Sequence, residues 1–194
     1  MKRIIIGISG ASGAIYGIRA LQILKEDPEI ETHLILSQAA GLTIEVETDW
    51  KISQVQDLAS VSYPEKEIGA PVASGSFQTD GMLIAPCSIK TLSAVANSYA
   101  DNLLTRAADV QLKEGRPVVL MVRETPLHSG HIRLMSLAAA SGAVIFPPVP
   151  AFYGRPQSLD EVVSSSVGRA LSRLGIDNSK YPRWEGGVPG GLGD

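Results

Sequence analysis

The stretch Arg3-Ile4-Ile5-Ile6-Gly7-Ile8-Ser9-Gly10-Ala11-Ser12-Gly13 decides the fold of this chain. Its first half is a nearly continuous run of β-branched residues interrupted by glycine, which is typical of a strand buried on both faces. Its second half is a glycine-rich turn, after which apolar residues recur at helical spacing from Ala14 to Leu24. A strand, a tight turn and a helix in this order predict the first βα unit of a parallel sheet.

The alternation of strands and helices continues along the rest of the chain. Further strands are predicted at residues 32–37, 81–85, 117–122 and 143–146, and further helices at 38–47, directly after 86–88, and at 102–113, 129–141 and 158–175. This order predicts an α/β fold, a single Rossmann-like (flavodoxin-like) three-layer domain with a parallel sheet covered on both faces. The last helix starts with Ser-Leu-Asp-Glu, a capping-box pattern. We expect the domain to occupy residues 1–185 and the last nine residues, 186–194, with five glycines, to form a tail.

The composition predicts a soluble protein without nucleic-acid or membrane partners. The 194 residues are 44% hydrophobic and carry a formal charge of −3, so the chain has no basic field for nucleic acid. No apolar run reaches the roughly 18 residues of a membrane span, and the start lacks a signal-peptide pattern. The single cysteine, Cys87, excludes an internal disulfide and a cysteine-based zinc cluster. We therefore expect a cytoplasmic protein.

The glycines of the first turn favour a mononucleotide over NAD or ATP. A dinucleotide motif needs G-x-G-x-x-G, but Ile8 stands at the second glycine position and Ser37 replaces the acidic residue after the second strand. A Walker loop needs a lysine, and residues 3–24 contain none. The hydroxyls of Ser9 and Ser12 remain as phosphate ligands for a nucleotide such as FMN. A tight turn that binds nothing is the alternative.

Two later segments follow strands at the same predicted edge of the sheet. Pro-Cys-Ser-Ile-Lys-Thr at 86–91 offers Ser88 as a helix N-cap, and Arg-Glu-Thr-Pro-Leu-His at 123–128 places a charged pair after the next strand. An ordinary cap and a surface loop are the alternatives. Cys87 has no adjacent histidine or second cysteine, which argues against a nucleophile. His128 and His131 lack an obvious third ligand, so no metal site is expected.

The second half of the chain contains further candidate site residues, which are polar or aromatic. Arg106, Asp109 and Lys113 fall on one helix face, where most such rows are solvated ion pairs. The proline-rich segment 147–156 sets Phe152 and Tyr153 beside a cation, as either a ligand cover or a connecting loop. Arg169 stands two turns after Val162 and close to the apolar stripe of the last helix, where we expect it to meet an anion. Arg183-Trp184 near the end is either a cover for a neighbouring subunit or cofactor, or a surface anchor.

Together these segments resemble the UbiX family of flavin prenyltransferases, within the wider FMN-binding flavoprotein superfamily, over nearly all of residues 2–184. The resemblance lies in eight segments: GISGASGAIYG at 7–17, ETD at 47–49, ASGSF at 73–77, PCSIKTLSAV at 86–95, RAADVQLKEGRP at 106–117, RETPLH at 123–128, PPVPAFYGRPQS at 147–158 and RW at 183–184. Some relatives carry a tryptophan at a position that aligns with Ile68. Several long motifs in the same order identify the chain as similar to this family.

The resemblance implies a set of site residues. FMN is expected at Gly10, Ala11, Ser12, Ser37, Ser88, Ile89, Lys90, Thr91 and Arg123. The phosphate of dimethylallyl monophosphate is expected at Arg106, Lys113, Glu124, Tyr153 and Arg169. Catalysis is expected from Ser12, Glu47, Lys113 and Glu124: fixed cations meet the leaving phosphate, Glu124 or the departing phosphate takes a proton, and Glu47 and Ser12 assist near N5. No aspartate-rich magnesium motif occurs, so a metal-independent reaction is expected.

The resemblance also implies the reaction and the partners. The family joins the dimethylallyl group to N5 and C6 of reduced FMN, making prenylated FMN for a UbiD-type decarboxylase in ubiquinone synthesis or aromatic-acid breakdown. It implies a large homo-oligomer, a dodecamer, with active sites between subunits. Two alternatives remain open. An FMN-dependent cysteine decarboxylase needs a catalytic histidine near the flavin, whereas His33 lies in a predicted strand. A non-catalytic flavin carrier does not need Arg106, Lys113 and Glu124.

Overall fold

The structure is a computed structural model that describes residues 1–184 and 186. It is an α/β domain with a six-stranded parallel sheet. The strands are β1 (Lys2–Ile8), β2 (Ile30–Leu36), β3 (Val61–Pro64), β4 (Gly81–Cys87), β5 (Val118–Val122) and β6 (Val144–Ile145). The helices are α1 (Ala14–Lys25), α2 (Gln38–Glu47), α3 (Ile52–Gln56), α4 (Ile89–Ala96), α5 (Leu103–Lys113), α6 (Ser129–Ala140) and α7 (Leu159–Ser172). The predicted tail at 186–194 lies, apart from Gly186, outside the described residues.

The strand order β3-β2-β1-β4-β5-β6 puts the start of the chain at the centre of the sheet. β1 pairs in parallel with β2 on one side and with β4 on the other, with Ile6 opposite both Leu34 and Leu83. The order of the strands reverses between β1 and β4, and open α/β sheets bind ligands outside the carboxyl ends of the strands at such a point. The topology therefore directs attention to the turns after β1 and β4.

Alternate residues of β1 contribute to two cores on opposite faces of the sheet. Ile4 and Ile6 belong to a core that includes Leu21 of α1 and Leu171 of α7, whereas Ile5 belongs to a core that includes helix α5. Each fully buried aliphatic side chain of this kind contributes about 1.5–3 kcal/mol relative to exposure. The continuous apolar run at the start of the chain thus covers both faces, and the predicted three-layer α/β fold is confirmed.

Local contacts determine how closely α1 approaches the sheet and where α7 begins. A Cβ on Gly17 would lie 2.4 Å from the carbonyl oxygen of Ala85, so only glycine allows α1 to approach β4 this closely. The predicted capping box of α7 is only half formed: Ser158 Oγ accepts from the Glu161 N–H (3.2 Å), but the Glu161 carboxylate accepts from the Gln157 N–H instead. The serine cap alone therefore begins the last helix.

The sequence did not predict the edge strand β3 or the short helix α3. β3 is four residues long and ends at a proline, and Val61 at its start is 36% exposed. An edge strand this short shows no clear alternation, so periodicity cannot find it. No helix among the described residues is long and apolar enough to cross a membrane.

Candidate active site

A cavity of about 400 Å³ lies where β1, β2 and β4 end. It brings together residues that are far apart in the chain and that the sequence predicted to hold FMN: Gly10, Ser37, Ser88, Lys90 and Thr91. The turn after β1, the start of α2 and the start of α4 each supply part of the wall. One concave site at the switch point of the sheet therefore unites five of the nine predicted FMN residues.

The other four predicted FMN residues do not line this cavity. Ala11 and Ser12 follow Gly10 in the same turn, and Ile89 precedes Lys90 at the start of α4. Arg123 follows β5, which lies beside β4. The roles of these four residues in binding FMN stay predictions.

Ser9 ties the two central strand ends together. Its hydroxyl donates to the Pro86 carbonyl (2.7 Å) and accepts from the Ser88 N–H (2.8 Å), and the residue is 2% exposed. The prediction that Ser9 offers its hydroxyl to a phosphate is therefore wrong, because both contacts are already made within the protein. Ser9 forms the floor of the cavity instead.

The glycine-rich turn after β1 lies close to α2, and the N–H of its last residue, Gly13, donates to a carboxylate. A Cβ on Gly10 would lie 2.3 Å from the Ala39 Cβ, so a side chain here would force the first turn away from α2. Gly13 precedes α1 with φ of 99°, a conformation that favours glycine. Its N–H donates to Glu47 Oε2 across 2.7 Å. The predicted pair of Ser12 and Glu47 thus lies at one place, the start of α1.

Four helices begin around this edge, and carboxylates accompany three of them. Glu47 accepts from Gly13 at α1, Glu65 accepts from the Gln38 N–H (3.0 Å) at α2, and Asp101 lies just before the Asn102 cap of α5. The first turn of α4 carries Lys90 and, among the described residues, no hydrogen bond to a carboxylate. A helix N-terminus with a nearby cation favours an anion. Of these four helix starts, that of α4 therefore has the surroundings most favourable to an anion.

The segment after β5 places charge close to α1. The Arg123 N–H donates to the Cys87 carbonyl (3.1 Å), which fixes its backbone beside β4. Burial raises the pKa of Tyr16, and the nearby Arg123 guanidinium opposes that rise. Glu124 is exposed, and its Oε1 accepts from the Thr125 N–H (2.9 Å). The Arg123 guanidinium therefore lies near Tyr16 of α1, while Glu124 is exposed and does not line the cavity.

The predicted phosphate cations on α5 do not meet at the cavity. Asn102 and Thr105, at the start of α5, line it, whereas Lys113 is the last residue of the helix, about 12 Å further along the axis. Arg106 pairs with Asp109 (2.8 Å), and Lys113 pairs with Glu114. Within one chain, Lys113 therefore lies at the opposite end of α5 from the candidate FMN site.

Tyr153 and Arg169 line a second cavity, of about 630 Å³, that shares no lining residue with the first. The Tyr153 hydroxyl donates to the Pro182 carbonyl (2.9 Å), and its ring packs edge-on against Trp184 with centroids 5.7 Å apart. Arg169 is exposed, lies over the ring of Tyr181 at 5.8 Å, and donates to Ser172. The side chain of Arg169 is therefore less buried than expected, and its predicted contact with an anion between subunits stays a prediction.

The remaining nucleophile and metal candidates, Cys87, His128 and His131, do not line the cavity. Burial raises the pKa of Cys87 to about 12, so its thiolate is not available near neutral pH. The rings of His128 and His131 are tilted by 35° with centroids 3.6 Å apart, but no group of three or more metal-ligating side chains is found in the described part of the chain. His33 is buried in β2 and packs against Tyr63, away from the cavity lining.

Sequence reasoning missed several cavity residues, and some of them had a visible signal. Asn102 and Thr105 form a reciprocal cap at the start of α5, and that pattern is readable from the sequence. Glu65 had no such signal, because it follows the unpredicted strand β3. Ile68 is 65% exposed in the loop after β3, so in the single chain it does not form a wall of the cavity.

Comparison with known proteins decides the family. A family model described as Flavoprotein matches residues 1–170. The flavin prenyltransferase UbiX of Escherichia coli (strain K12) is 60% identical over 188 residues, which cover 96% of this chain and 100% of the relative. The chain belongs to the UbiX flavin prenyltransferases. This confirms the resemblance drawn from the eight segments.

Solved structures of UbiX proteins share this fold closely. A structure of AnUbiX (PadA1) in complex with FMN and dimethylallyl pyrophosphate is 45% identical with a TM-score of 0.93, covering 96% of this chain and 99% of that one. A dodecameric FMN-dependent UbiX-like decarboxylase from Escherichia coli O157:H7 is 44% identical with a TM-score of 0.92, covering 95% and 100%. Membership of the UbiX family identifies a transferase and decides against a cysteine decarboxylase or a mere flavin carrier.

Proposed function

We propose that this chain joins the dimethylallyl group of dimethylallyl monophosphate to N5 and C6 of reduced FMN, making prenylated FMN. The observation that carries the proposal is the cavity at the switch point, which unites FMN residues from three strand ends in a chain of the UbiX family. Reduced FMN supplies the electron-rich ring atoms that accept the prenyl group. Everything else is done by the side chains and backbone around it.

The start of α4 would hold the phosphate of FMN. Lys90 offers a cation there, Ser88 and Thr91 offer hydroxyls, and the helix contributes its free N–H groups. The carboxylates Glu65 and Asp101 disfavour the same anion at α2 and α5. Gly10, in the turn after β1, also lines this cavity and would contact the flavin.

Residues beyond the anchor orient the ring and move the proton. Ser12 and Glu47 lie at the start of α1 and assist near N5, while Arg123 lies beside the same helix. When the allylic C–O bond breaks, its electron pair would leave with the phosphate, and the new bond from carbon to N5 would release the N5 proton. Closing the bond at C6 would add one proton to the prenyl double bond and release the C6 proton. Glu124, or the departing phosphate, would accept that proton.

The cations for the leaving phosphate come together through assembly of subunits. Arg106 and Lys113 on α5 and the pair Tyr153 and Arg169 in the second cavity do not line the FMN cavity of their own chain. A homo-oligomer with sites between subunits would bring such groups around one site, and the Escherichia coli O157:H7 relative is described as dodecameric. Fixed positive charge then stabilises the developing phosphate dianion without a metal ion.

The product serves a UbiD-type decarboxylase, and we place the reaction in the cytoplasm. Ubiquinone synthesis and aromatic-acid decarboxylation both need such an enzyme. The genes beside the one encoding this chain distinguish the two pathways.

The direct test is anaerobic incubation of the protein with reduced FMN and dimethylallyl monophosphate, followed by mass spectrometry of the extracted flavin. We expect a flavin heavier by one dimethylallyl group, formed equally well with EDTA present. An unchanged flavin would contradict the proposal, and activity lost on chelation and restored by magnesium would contradict the metal-free phosphate site. Dimethylallyl diphosphate in a parallel reaction tests the choice of donor, and faster transfer from it would overturn the monophosphate assignment.

A further inference from the structure

Residues 73–79, which we call the strap, run alongside α5. Their backbone carbonyl groups accept hydrogen bonds from arginine side chains. Arg116, just after α5, donates from Nη2 to the Gly75 carbonyl (2.8 Å) and from Nη1 to the Phe77 carbonyl (2.9 Å). Nη1 also donates to Thr79 Oγ1 (3.1 Å). One guanidinium therefore fixes three positions of an irregular segment.

The two ends of the strap have further anchors. Arg106 Nε donates to the Ala73 carbonyl (3.2 Å) at the first end. Towards the other end, the Phe77 ring packs edge-on against His33 with centroids 5.3 Å apart. Its centroid also lies 4.9 Å from Cζ of the Arg3 guanidinium. Burial lowers the pKa of His33, so this ring is neutral near pH 7. Arg116 thus holds the middle of a segment whose ends are already fixed.

The middle of the strap lies directly against Lys113. A Cβ on Gly75 would be 2.8 Å from Lys113 Nζ and 2.1 Å from Glu114 Oε1, so the backbone and the ammonium group are in close contact. The hydroxyls of Ser74 and Ser76 lie 2.9 Å apart on exposed residues beside this contact. A small shift of the strap would therefore move the surroundings of Lys113.

We propose that Arg116 is a positioning residue for prenyl transfer: by holding the Gly75 and Phe77 carbonyls it fixes the strap against Lys113, and so fixes the ammonium group that binds the leaving phosphate. The inference rests on the proposed function, because it takes the phosphate role of Lys113 from there. Arginine suits this role because its planar guanidinium group donates hydrogen bonds to two carbonyls at once. Lysine in its place keeps the charge but loses that geometry.

The test compares steady-state kinetics for dimethylallyl monophosphate in five variants of the assembled protein: Arg116→Lys, Arg116→Ala, Lys113→Ala, the double variant Arg116→Ala with Lys113→Ala, and Arg133→Ala as an exposed control. We expect both Arg116 variants to raise KM about tenfold, the size of one lost charge-assisted contact. Their FMN affinity and the KM of the control stay at the wild-type value. Because Arg116 acts through Lys113, the double variant should be no worse than Lys113→Ala alone.

Gly75→Ala provides an independent variant, since it displaces Lys113 from the strap side without removing Arg116, and we expect the same rise in KM. Three outcomes overturn the inference: an unchanged KM in the Arg116 variants, multiplicative effects in the double variant, or an unchanged KM in Lys113→Ala. Failure of the proposed function is a separate result, because wild-type protein would then make no prenylated flavin.

Discussion

The carboxylate of Glu47, the last residue of α2, accepts the backbone N–H of Gly13 across 2.7 Å at the start of α1. No side chain of the turn itself caps α1, so the end of one helix supplies the cap for another. A carboxylate at a helix N-terminus stabilises it by both the hydrogen bond and the helix dipole. Glu47 therefore shapes the turn that also carries Ser12.

Glu47→Ala should lower stability and slow prenylation by more than the loss of stability explains. We expect a loss of about 1 kcal/mol, the usual cost of removing a cap, measured by urea denaturation. Glu47→Gln keeps an acceptor oxygen and should recover most of the stability. If Glu47→Gln also recovers the full transfer rate, the carboxylate has no chemical role near N5.

Lys90→Ala should weaken FMN binding about tenfold while leaving riboflavin binding unchanged. The ammonium group of Lys90 lies at the start of α4, where we place the phosphate that riboflavin lacks. Fluorescence titration with both flavins measures the difference, and exposed Lys66→Ala is the matched control. An equal loss for both flavins would show that the phosphate lies elsewhere.

Glu124→Gln should retain FMN binding and form the prenylated product slowly. The amide keeps the size of the side chain but removes the basic oxygen that is to take the proton. Single-turnover measurements under anaerobic conditions report the rate of product formation. A rate equal to that of the wild-type protein would remove Glu124 from this role and leave the departing phosphate as the base.

Arg169→Ala should leave folding and FMN affinity nearly intact but weaken binding of dimethylallyl monophosphate by roughly 2–4 kcal/mol. Arg169 is exposed in the single chain, so its removal disturbs little of the core. Calorimetric titration measures the loss.

Mixing Arg169→Ala with Lys113→Ala protein should partly restore activity, since some mixed interfaces contain one intact site. A fully active monomer in light scattering would refute the shared site.

The stability of the protein should fall as the pH rises from 9 to 12, in part because of Cys87. Its folded pKa, about 12, exceeds the ordinary value of 9.0, since burial disfavours the thiolate. The stabilisation is therefore complete below pH 9 and is lost as the pH rises towards 12, by at most about 1.4 kcal/mol per pH unit. Cys87→Ala should flatten this slope relative to wild type in urea denaturation series. Identical slopes would show that Cys87 does not titrate on unfolding.

The central part of the fold and the candidate FMN cavity were predictable because their signals are local. The run from Arg3 to Ile8, the glycine turn and the Ser88 cap each determine backbone geometry within a few residues, and the structure shows them as β1, the first turn and α4. The limits of α2 agree with the predicted 38–47. Periodicity and capping therefore locate the elements that line the cavity.

The rest depends on contacts that a single sequence does not reveal. Glu65 reaches α2 only because the unpredicted edge strand β3 pairs with β2. The intramolecular bonds of Ser9 depend on a partner 79 residues away, so its sequence context suggested a free hydroxyl. The distance between Lys113 and the cavity follows from the direction of α5 along the sheet, which no motif records.

The double hydrogen bond of Ser9 has a consequence for how the protein matures. The floor of the cavity exists only after residues 9, 86 and 88 have met, that is, after β1 and β4 have paired at the centre of the sheet. A nascent or partly folded chain therefore lacks the cavity, and FMN bound there, as proposed, would add stability only to chains whose central strands are in register. The yellow colour of bound flavin during purification is thus a direct measure of correctly folded protein, and supplying riboflavin during expression should raise its yield.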